Sequence, residues 1–117
     1  MQEERSYVTY IMASQSGTLY IGMTNGIVRR AFEHKHGVGG VFTRKYRCTK
    51  LVYWEEFYEV LDAIGREKEL KGWLRSKKVA LIRSRNSTWF DLAYFWEDPF
   101  KDLSEEELRT MYGRCKE

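Results

Sequence analysis

The chain has 117 residues, 43% hydrophobic and 32% charged, which indicates a single soluble domain large enough to bury its own core. No apolar run approaches the ~20 residues of a membrane-spanning helix, and the polar start MQEERS predicts no secretory signal. The two cysteines, Cys48 and Cys115, form neither a disulfide framework nor a pattern typical of structural zinc. We therefore expect a cytoplasmic protein with free thiols.

Charge is distributed unevenly along the chain. Residues 1–90 carry 16 lysines and arginines against 9 acidic residues, a net charge of +7, whereas residues 91–117 carry 4 against 8, a net charge of −4. The positive charge of residues 1–90 favours a polyanion as partner. The simpler alternative is a solvated surface on which the charge is unevenly distributed. Aromatic residues make up 15% of the chain. They can fill a core or stack on nucleic-acid bases.

The first predicted elements are two strands and a helix. β-branched and aromatic residues predict strands at residues 7–13 and 18–22, joined by a turn at residues 14–17. The polar run TNG then begins a helix over about residues 26–36. The sequence thus predicts a hairpin followed directly by a helix.

The hairpin brings two tyrosines together. If its loop occupies residues 14–16, Ala13 faces Gly17, and Tyr10 lies opposite Tyr20 on one face of the sheet. A one-residue slip would send one of the tyrosines to the other face, because side chains alternate along a strand.

The rest of the chain continues with helices and one more strand. The basic, aromatic segment FTRKYRCTK, residues 42–50, is interpreted as a loop. Periodicity and a capping box predict a strand at residues 51–57, helices at residues 59–74 and 76–85, and a last helix opening at Ser104. We expect the apolar segment WFDLAYFW, residues 89–96, to pack on the core or on a second copy. This order predicts an α/β (α+β) domain with a small antiparallel sheet.

The second predicted helix has a carboxylate on its apolar side. Glu67 falls within a stripe formed by Val60, Ala63, Ile64, Leu70 and Leu74. A lone carboxylate on such a face is costly unless something pairs with it. One partner is Lys71, at the favourable i,i+4 spacing. The other is Mg²⁺, which takes oxygen ligands and often uses one protein carboxylate beside substrate phosphates. The residues alone leave both alternatives open.

The first predicted helix carries a second polar group. Arg30 and His34 are i,i+4 neighbours on the flank of its apolar face. Arg29 and Glu33 are expected further round, toward solvent. Singly, Arg30 can be a surface arginine with a buried stem, and His34 can be a helix C-terminal cap. His34 and His36 diverge at i,i+2, which argues against zinc. With the tyrosines and the carboxylate described above, the cluster supplies the parts for phosphodiester hydrolysis.

Five ordered blocks of sequence resemble the GIY-YIG nuclease superfamily, in particular its small stand-alone bacterial members. The first motif is VTY at residues 8–10 and the second is YIG at residues 20–22. TNGIVRRAFEH, LVYWEEF and AIGREKELKGWLRSKKVALI follow in the family's order, and the resemblance covers about residues 7–93. The chain is also similar to the nuclease domain of the excision-repair incision subunit. We expect residues 1–93 to form the nuclease domain and residues 94–117 an acidic aromatic extension packed on it.

The resemblance implies a three-stranded antiparallel sheet flanked by helices, and an endonuclease acting on nucleic acid with Mg²⁺ or Mn²⁺. DNA and a role in DNA repair are the expectation. The implied catalytic residues are Tyr10, Tyr20, Arg30, His34 and Glu67. Either tyrosine would help to deprotonate the attacking water, Arg30 would stabilise the transition state and His34 would position or relay a proton. Glu67 would hold the metal. Asn86 is the tentative match for an asparagine found late in the domain.

The expected partner is nucleic acid, with no membrane contact. Candidate phosphate contacts are Lys35, Arg44, Lys45, Arg47, Lys68, Lys77, Lys78 and Arg83. The alternative function is a catalytically weak nucleic-acid-binding module of the same fold. A third is a protein-interaction domain that uses the aromatic segment around Phe95 and Trp96. A homodimer through that segment is a further expectation.

Overall fold

A three-stranded antiparallel sheet lies at the centre of the fold, which a computed structural model describes for residues 6–113. Strand β1 spans Tyr7–Ala13, β2 spans Leu19–Thr24 and β3 spans Lys50–Phe57. The order β2-β1-β3 makes β1 the middle strand and leaves β2 and β3 as edges. The predicted sheet and the α/β (α+β) class are confirmed.

Helices surround this sheet. Within the described residues they are α1 (Ile27–Lys35), α2 (Val41–Tyr46), α3 (Val60–Lys71), α4 (Arg75–Arg85) and α5 (Glu105–Tyr112). Helix α3 ends before Gly72, a weak helix former, and is therefore shorter than predicted. The predicted capping box of α5 is confirmed, because the Ser104 hydroxyl accepts the Glu107 N–H and the Glu107 carboxylate accepts the Ser104 N–H.

The predicted loop at residues 42–50 is wrong, because its first half forms helix α2. No side chain caps this six-residue helix, so local sequence gives it little support. Contacts made within and beyond the helix stabilise it instead. The rings of Phe42 and Tyr46 pack 4.8 Å apart at i,i+4, and buried Thr43 bonds to His34 of α1 at 2.9 Å.

The two faces of the sheet are covered by different helices. The α1 face carries Tyr10 and Met12 of β1, which pack with Ala31 of α1. The α3 face carries Ile11 of β1, which packs with Leu70 of α3. Because side chains alternate along a strand, α1 and α3 lie on opposite sides of the sheet. The sheet therefore separates polar side chains on α1 from those on α3.

The hairpin register differs from the prediction by two residues. Tyr10 pairs with Gly22, and Tyr20 pairs with Met12. The last strand pair is Ala13 with Leu19, which leaves residues 14–18 as the connection. Within it the Thr18 carbonyl accepts the Ser14 N–H and the Thr18 N–H donates to the Ser14 hydroxyl, each at 2.9 Å. A shift of two preserves the side-chain alternation, so both tyrosines still face α1.

The apolar stripe of α3 is narrower than the sequence predicts. Ala63 and Leu70 are buried, whereas Val60 is exposed and Leu74, which is also exposed, lies beyond the end of the helix. Glu67 lies between the two buried positions and is 21% exposed. It therefore sits at the boundary of the packed surface rather than in its centre.

The C-terminal part of the described chain packs on the α1 side. Phe100 and Leu108 form a small core with Phe32 of α1. The expected burial of WFDLAYFW is only partly correct, because Ala93 is buried but Phe95 is 84% exposed. The homodimer and the domain boundary at residue 93 stay predictions.

No helix within residues 6–113 is both long and apolar enough to cross a membrane. Cys48 is buried, and its thiol is free of any disulfide. Cys115 and the MQEER start lie outside the described residues. The cytoplasmic location stays a prediction.

Candidate active site

Three of the implied catalytic residues form one hydrogen-bonded cluster on the α1 face. The Tyr10 hydroxyl lies 2.8 Å from Nε2 of His34, and Nε of Arg30 donates to the same hydroxyl at 3.3 Å. Nδ1 of His34 lies 2.9 Å from the Thr43 hydroxyl, which donates a long bond to the Gly40 carbonyl at 3.5 Å. The middle strand, α1 and α2 each contribute to this cluster.

Protons in the cluster can be assigned from the partners. The Arg30 guanidinium only donates, so the Tyr10 hydroxyl accepts from it and donates its own proton to Nε2 of His34. The Thr43 hydroxyl donates its proton to the Gly40 carbonyl and therefore accepts a hydrogen bond from Nδ1 of His34. Both inferences give the same tautomer, with the imidazole proton on Nδ1.

Burial keeps Tyr10 and His34 uncharged. Desolvation raises the pKa of the Tyr10 phenol well above its ordinary value, and the nearby Arg30 charge opposes this only in part. Desolvation also lowers the pKa of His34 to about 4, with a further lowering from Arg30. Moving the proton from Tyr10 to His34 would therefore create two disfavoured ions. The pair fits an orienting role better than a general base.

Two glycines leave room for this cluster. A Cβ at Gly22, directly across from Tyr10, would lie 2.6 Å from the tyrosine hydroxyl. A Cβ at Gly39 would lie 2.5 Å from Nδ1 of His34. Real Cβ atoms do not approach other atoms so closely. The glycine of the YIG motif is therefore required for the position of the Tyr10 hydroxyl.

A buried carboxylate, which the sequence did not predict as part of the site, holds Arg30. Glu33 was expected toward solvent, but only 2% of its side chain is exposed. It accepts from Arg30 at 2.9 Å and from Arg29 at 3.2 Å. Arg30 also donates to the Gly39 carbonyl at 2.7 Å. The i+3 and i+4 spacing from two arginines was the available signal for Glu33.

The C-terminal helix reaches this carboxylate. The Tyr112 hydroxyl of α5 donates to Glu33 at 2.5 Å. Although burial favours the neutral acid, the hydrogen bonds from Tyr112 and Arg30 hold the pKa of Glu33 below its ordinary value. Nearby, Nε2 of His36 lies 2.6 Å from the Asp98 carboxylate. The end of α1 is thus fastened to the C-terminal segment in two places.

Tyr20 joins the cluster by ring packing. Its ring centroid lies 5.2 Å from that of His34, 6.3 Å from that of Tyr10 and 5.9 Å from that of Phe42. Within residues 6–113 its hydroxyl makes no hydrogen bond, and the side chain is half-buried. Of the two motif tyrosines, Tyr20 is the one whose hydroxyl remains available.

An open groove gives access to Arg30. It has a volume of 480 Å³, and its lining includes Thr24, Asn25, Arg29 and Arg30. The Arg30 side chain is 27% exposed. Its guanidinium is therefore fixed on one side by protein and accessible to a ligand on the other.

Glu67 is not in contact with this cluster. It lies on α3, on the other side of the sheet, and pairs with Nζ of Lys71 at 3.0 Å. Because α3 lies across the sheet from Arg30 of α1, Glu67 can reach the cluster only around an edge of the sheet. No group of three or more potential metal ligands lies within residues 6–113. The metal role of Glu67 stays a prediction.

Asn86 has a structural position. Its amide group donates to the carbonyls of Val52 and Phe90 at 3.0 and 2.8 Å, and its oxygen accepts the Phe90 N–H at 2.9 Å. The side chain is buried at the end of α4 and joins this helix to β3 and the following loop. These bonds leave the amide little capacity to bind a substrate.

The candidate phosphate contacts differ in availability. Lys35 is engaged by Asp91 and the Thr49 carbonyl, so it is poorly placed to bind phosphate. Lys77 lies 4.2 Å above the Trp73 ring. Lys78 is half-buried. The remaining candidates have exposed side chains: Arg44, Lys45, Arg47, Lys68, Lys77 and Arg83. Their contact with nucleic acid stays a prediction.

The fold and the cluster together define a class of domain: a small antiparallel sheet with a Tyr–His–Arg cluster on one face. A family model described as the GIY-YIG catalytic domain matches residues 6–80. The chain therefore belongs to the GIY-YIG family.

Named relatives are similarly small. UPF0213 proteins of Staphylococcus aureus strains Mu3 and N315 are each 35% identical over 80 residues, which cover 68% of this chain and 98% of the relative. The solution NMR structure of a UPF0213 protein from Bacillus halodurans matches with a TM-score of 0.50 and 26% identity. The match covers 78% of this chain and 97% of that one.

Proposed function

We propose that this protein is an endonuclease that hydrolyses phosphodiester bonds of nucleic acid, with DNA as the first candidate. The observation that carries this proposal is the fixed but accessible guanidinium of Arg30. Bonds to Tyr10, Glu33 and the Gly39 carbonyl use three N–H groups. Two of the five N–H groups of an arginine remain, enough for a bidentate grip on a phosphate.

Arg30 would act by electrostatic stabilisation. Donors that are already oriented toward developing negative charge need no reorganisation during the reaction, which is the main source of their catalytic effect. Glu33, Tyr10 and Gly39 hold the guanidinium in one orientation. They are therefore positioning residues for Arg30.

Tyr20 is the better candidate for contact with the attacking water. Tyr10 and His34 are buried, and each is engaged by two partners. The Tyr20 hydroxyl is unengaged within the described residues and can accept a hydrogen bond from water and orient it. Tyr10 and His34 then fix the position of the Tyr20 ring through packing.

Glu67 would hold the divalent cation. Its donor chemistry fits, because Mg²⁺ prefers oxygen ligands and often uses one carboxylate beside substrate phosphates and water. A bound cation would offset negative charge on the phosphate and its leaving oxygen. For Glu67 to serve this role, the Lys71 pair would have to open, and the carboxylate would have to reach the phosphate around an edge of the sheet. That pair favours the alternative function, a catalytically weak binding module.

A substrate panel tests the proposal. The protein is incubated with single-stranded, duplex and branched DNA and with RNA, with EDTA, Mg²⁺ or Mn²⁺. We expect metal-dependent cutting of at least one substrate, and loss of cutting in Arg30→Ala. Retention of binding to the panel without any cutting would support the binding module instead.

A further inference from the structure

A row of aromatic rings leads away from the candidate active site along α2. The Tyr20 ring lies 5.9 Å from Phe42, and Phe42 lies 4.8 Å from Tyr46. Phe42 is 42% exposed and Tyr46 is 43% exposed. We call Phe42 and Tyr46 the α2 platform. Because these rings keep free surface beside Tyr20, they are open to a ligand that reaches the cluster.

The surroundings of the platform are basic. Arg44, Lys45 and Arg47 are exposed on α2 or at its end. Nζ of Lys45 lies 5.4 Å from the centroid of the Tyr46 ring. Between Glu33 and Glu55 the sequence contains no acidic residue. Such alternation of cations and aromatic rings complements a strand of nucleic acid, whose phosphates and bases alternate in the same way.

The α2 platform is fixed in relation to the cluster. Thr43 of α2 bonds to Nδ1 of His34 at 2.9 Å, and His34 bonds to Tyr10. A base stacked on Phe42 or Tyr46 would therefore hold its own phosphate at a defined distance from Arg30. The platform is therefore joined to the cluster by the Thr43–His34 bond and by the packing of Phe42 on Tyr20.

We propose that the α2 platform stacks unpaired bases that flank the bond to be cut, so that the preferred substrate is a single-stranded or locally unpaired stretch of nucleic acid. Bases in a duplex already stack on their neighbours and offer an aromatic side chain no free face. Stacking accepts any base, because every base has a π-face. The assignment of a substrate to be cut rests on the proposed function, whereas the stacking itself does not.

Binding without cutting tests the platform. Fluorescence anisotropy in EDTA compares three ligands of equal length: a single strand, a duplex of the same sequence and a single strand made entirely of abasic sites. DNA and RNA versions of the single strand form separate arms. We expect the single strand to bind about tenfold more tightly than the abasic strand, which keeps the phosphates but lacks the bases.

Variants of the platform sharpen the test. Tyr46→Ala should lose most of this tenfold preference, whereas Tyr46→Phe, which keeps the ring, should retain it. Tyr58→Ala, which removes an exposed tyrosine outside the platform, is the matched control and should change nothing. Equal affinity of the wild type for the normal and abasic strands would overturn the inference, even if Tyr46→Ala failed to fold.

Cleavage results separate this inference from the proposed function. If the protein binds unpaired bases preferentially but cuts no substrate with either metal ion, the platform is supported and the endonuclease function is ruled out. Cutting of a fully paired duplex, at a rate unchanged in Tyr46→Ala, would support the endonuclease and overturn the role of the platform in selecting the substrate.

Discussion

The Tyr10 hydroxyl and Nε2 of His34 lie 2.8 Å apart in the buried part of the site, and both groups are neutral. The tyrosine donates and the imidazole accepts. This bond connects the middle strand of the sheet to α1 and, through Thr43, to α2. A buried neutral histidine has a measurable effect on stability, because protonation must break the bond that it accepts.

Stability should therefore decrease in mild acid. Burial lowers the pKa of His34 from 6.5 to about 4, so between these values the unfolded chain binds a proton that the folded chain does not. The free energy of unfolding should fall as the pH falls through this window, by at most about 3 kcal/mol. Chemical denaturation at a series of pH values should show a shallower dependence for His34→Gln. This role of His34 would be contradicted if the free energy of unfolding of His34→Gln depended on pH as steeply as that of the wild type. It would also be contradicted if the control His36→Gln lost the pH dependence to the same extent.

Gly22→Ala should disturb the site more than the fold. A methyl group at this position would lie 2.6 Å from the Tyr10 hydroxyl, so the tyrosine must shift away from His34 and Arg30. We expect a loss of about 1–3 kcal/mol in stability, as in other overpacked cores, and a larger loss of cleavage. Gly65→Ala is the control, because nothing lies within 4 Å of its Cβ and it lies within α3. Thermal melting and cleavage that are equal in the two variants would show that Gly22 has no special role.

Tyr112→Phe tests whether the C-terminal helix supports Arg30. The variant removes only the hydroxyl that donates to Glu33 at 2.5 Å. The Glu33 carboxylate then loses one of its three partners, and its hold on Arg30 should loosen. We expect kcat to fall several-fold with little change in KM, and the pKa of Glu33 measured by NMR to rise. Tyr94→Phe, in an exposed tyrosine, serves as control. A pKa of Glu33 that does not move would show that the hydroxyl has no influence on the carboxylate.

The sequence predicted the sheet and most helices because their signals are periodic. Even the wrong register of the hairpin left Tyr10 and Tyr20 on the correct face, since the error was two residues and side chains alternate with a period of two. Glu33 was misplaced for a different reason. The sequence pattern places Glu33 on the polar side of α1, which was expected to face solvent. In the folded protein, Tyr112, 79 residues away, contacts this carboxylate.

Two further features depend on long-range contacts. Helix α2 has no capping side chain, and its bond from Thr43 to His34 cannot be read from local sequence. Glu67 was singled out because it lies on the apolar face of α3. Periodicity identifies the buried face of a helix, but it does not show on which side of the sheet the helix packs. The structure puts α3 opposite α1, which the pattern could not have shown.

Glu67→Gln separates the metal ligand from the ion pair. If Glu67 holds Mg²⁺, Mg²⁺ should raise the melting temperature of the wild type but not of the variant, because a ligand stabilises only the state that binds it. Cleavage should collapse, and binding in EDTA should survive. Glu69→Gln, in a more exposed carboxylate of the same helix that pairs with Arg66, is the control. A Glu67→Gln variant that melts below the wild type yet cuts at the wild-type rate would identify Glu67 as only the partner of Lys71.

The catalytic role of Arg30 is tested by the single-turnover cleavage rate of Arg30→Lys, measured with the substrate of the panel that the wild type cuts fastest. Lysine keeps the positive charge but cannot bond Tyr10, Glu33 and Gly39 while also gripping a phosphate. We expect a rate lower by about 100-fold or more, with affinity in EDTA changed only a few-fold. Arg29→Lys, which alters the more exposed arginine on the same carboxylate, should stay within a few-fold of the wild-type rate. An Arg30→Lys protein that cuts as fast as the wild type would contradict the central role of Arg30.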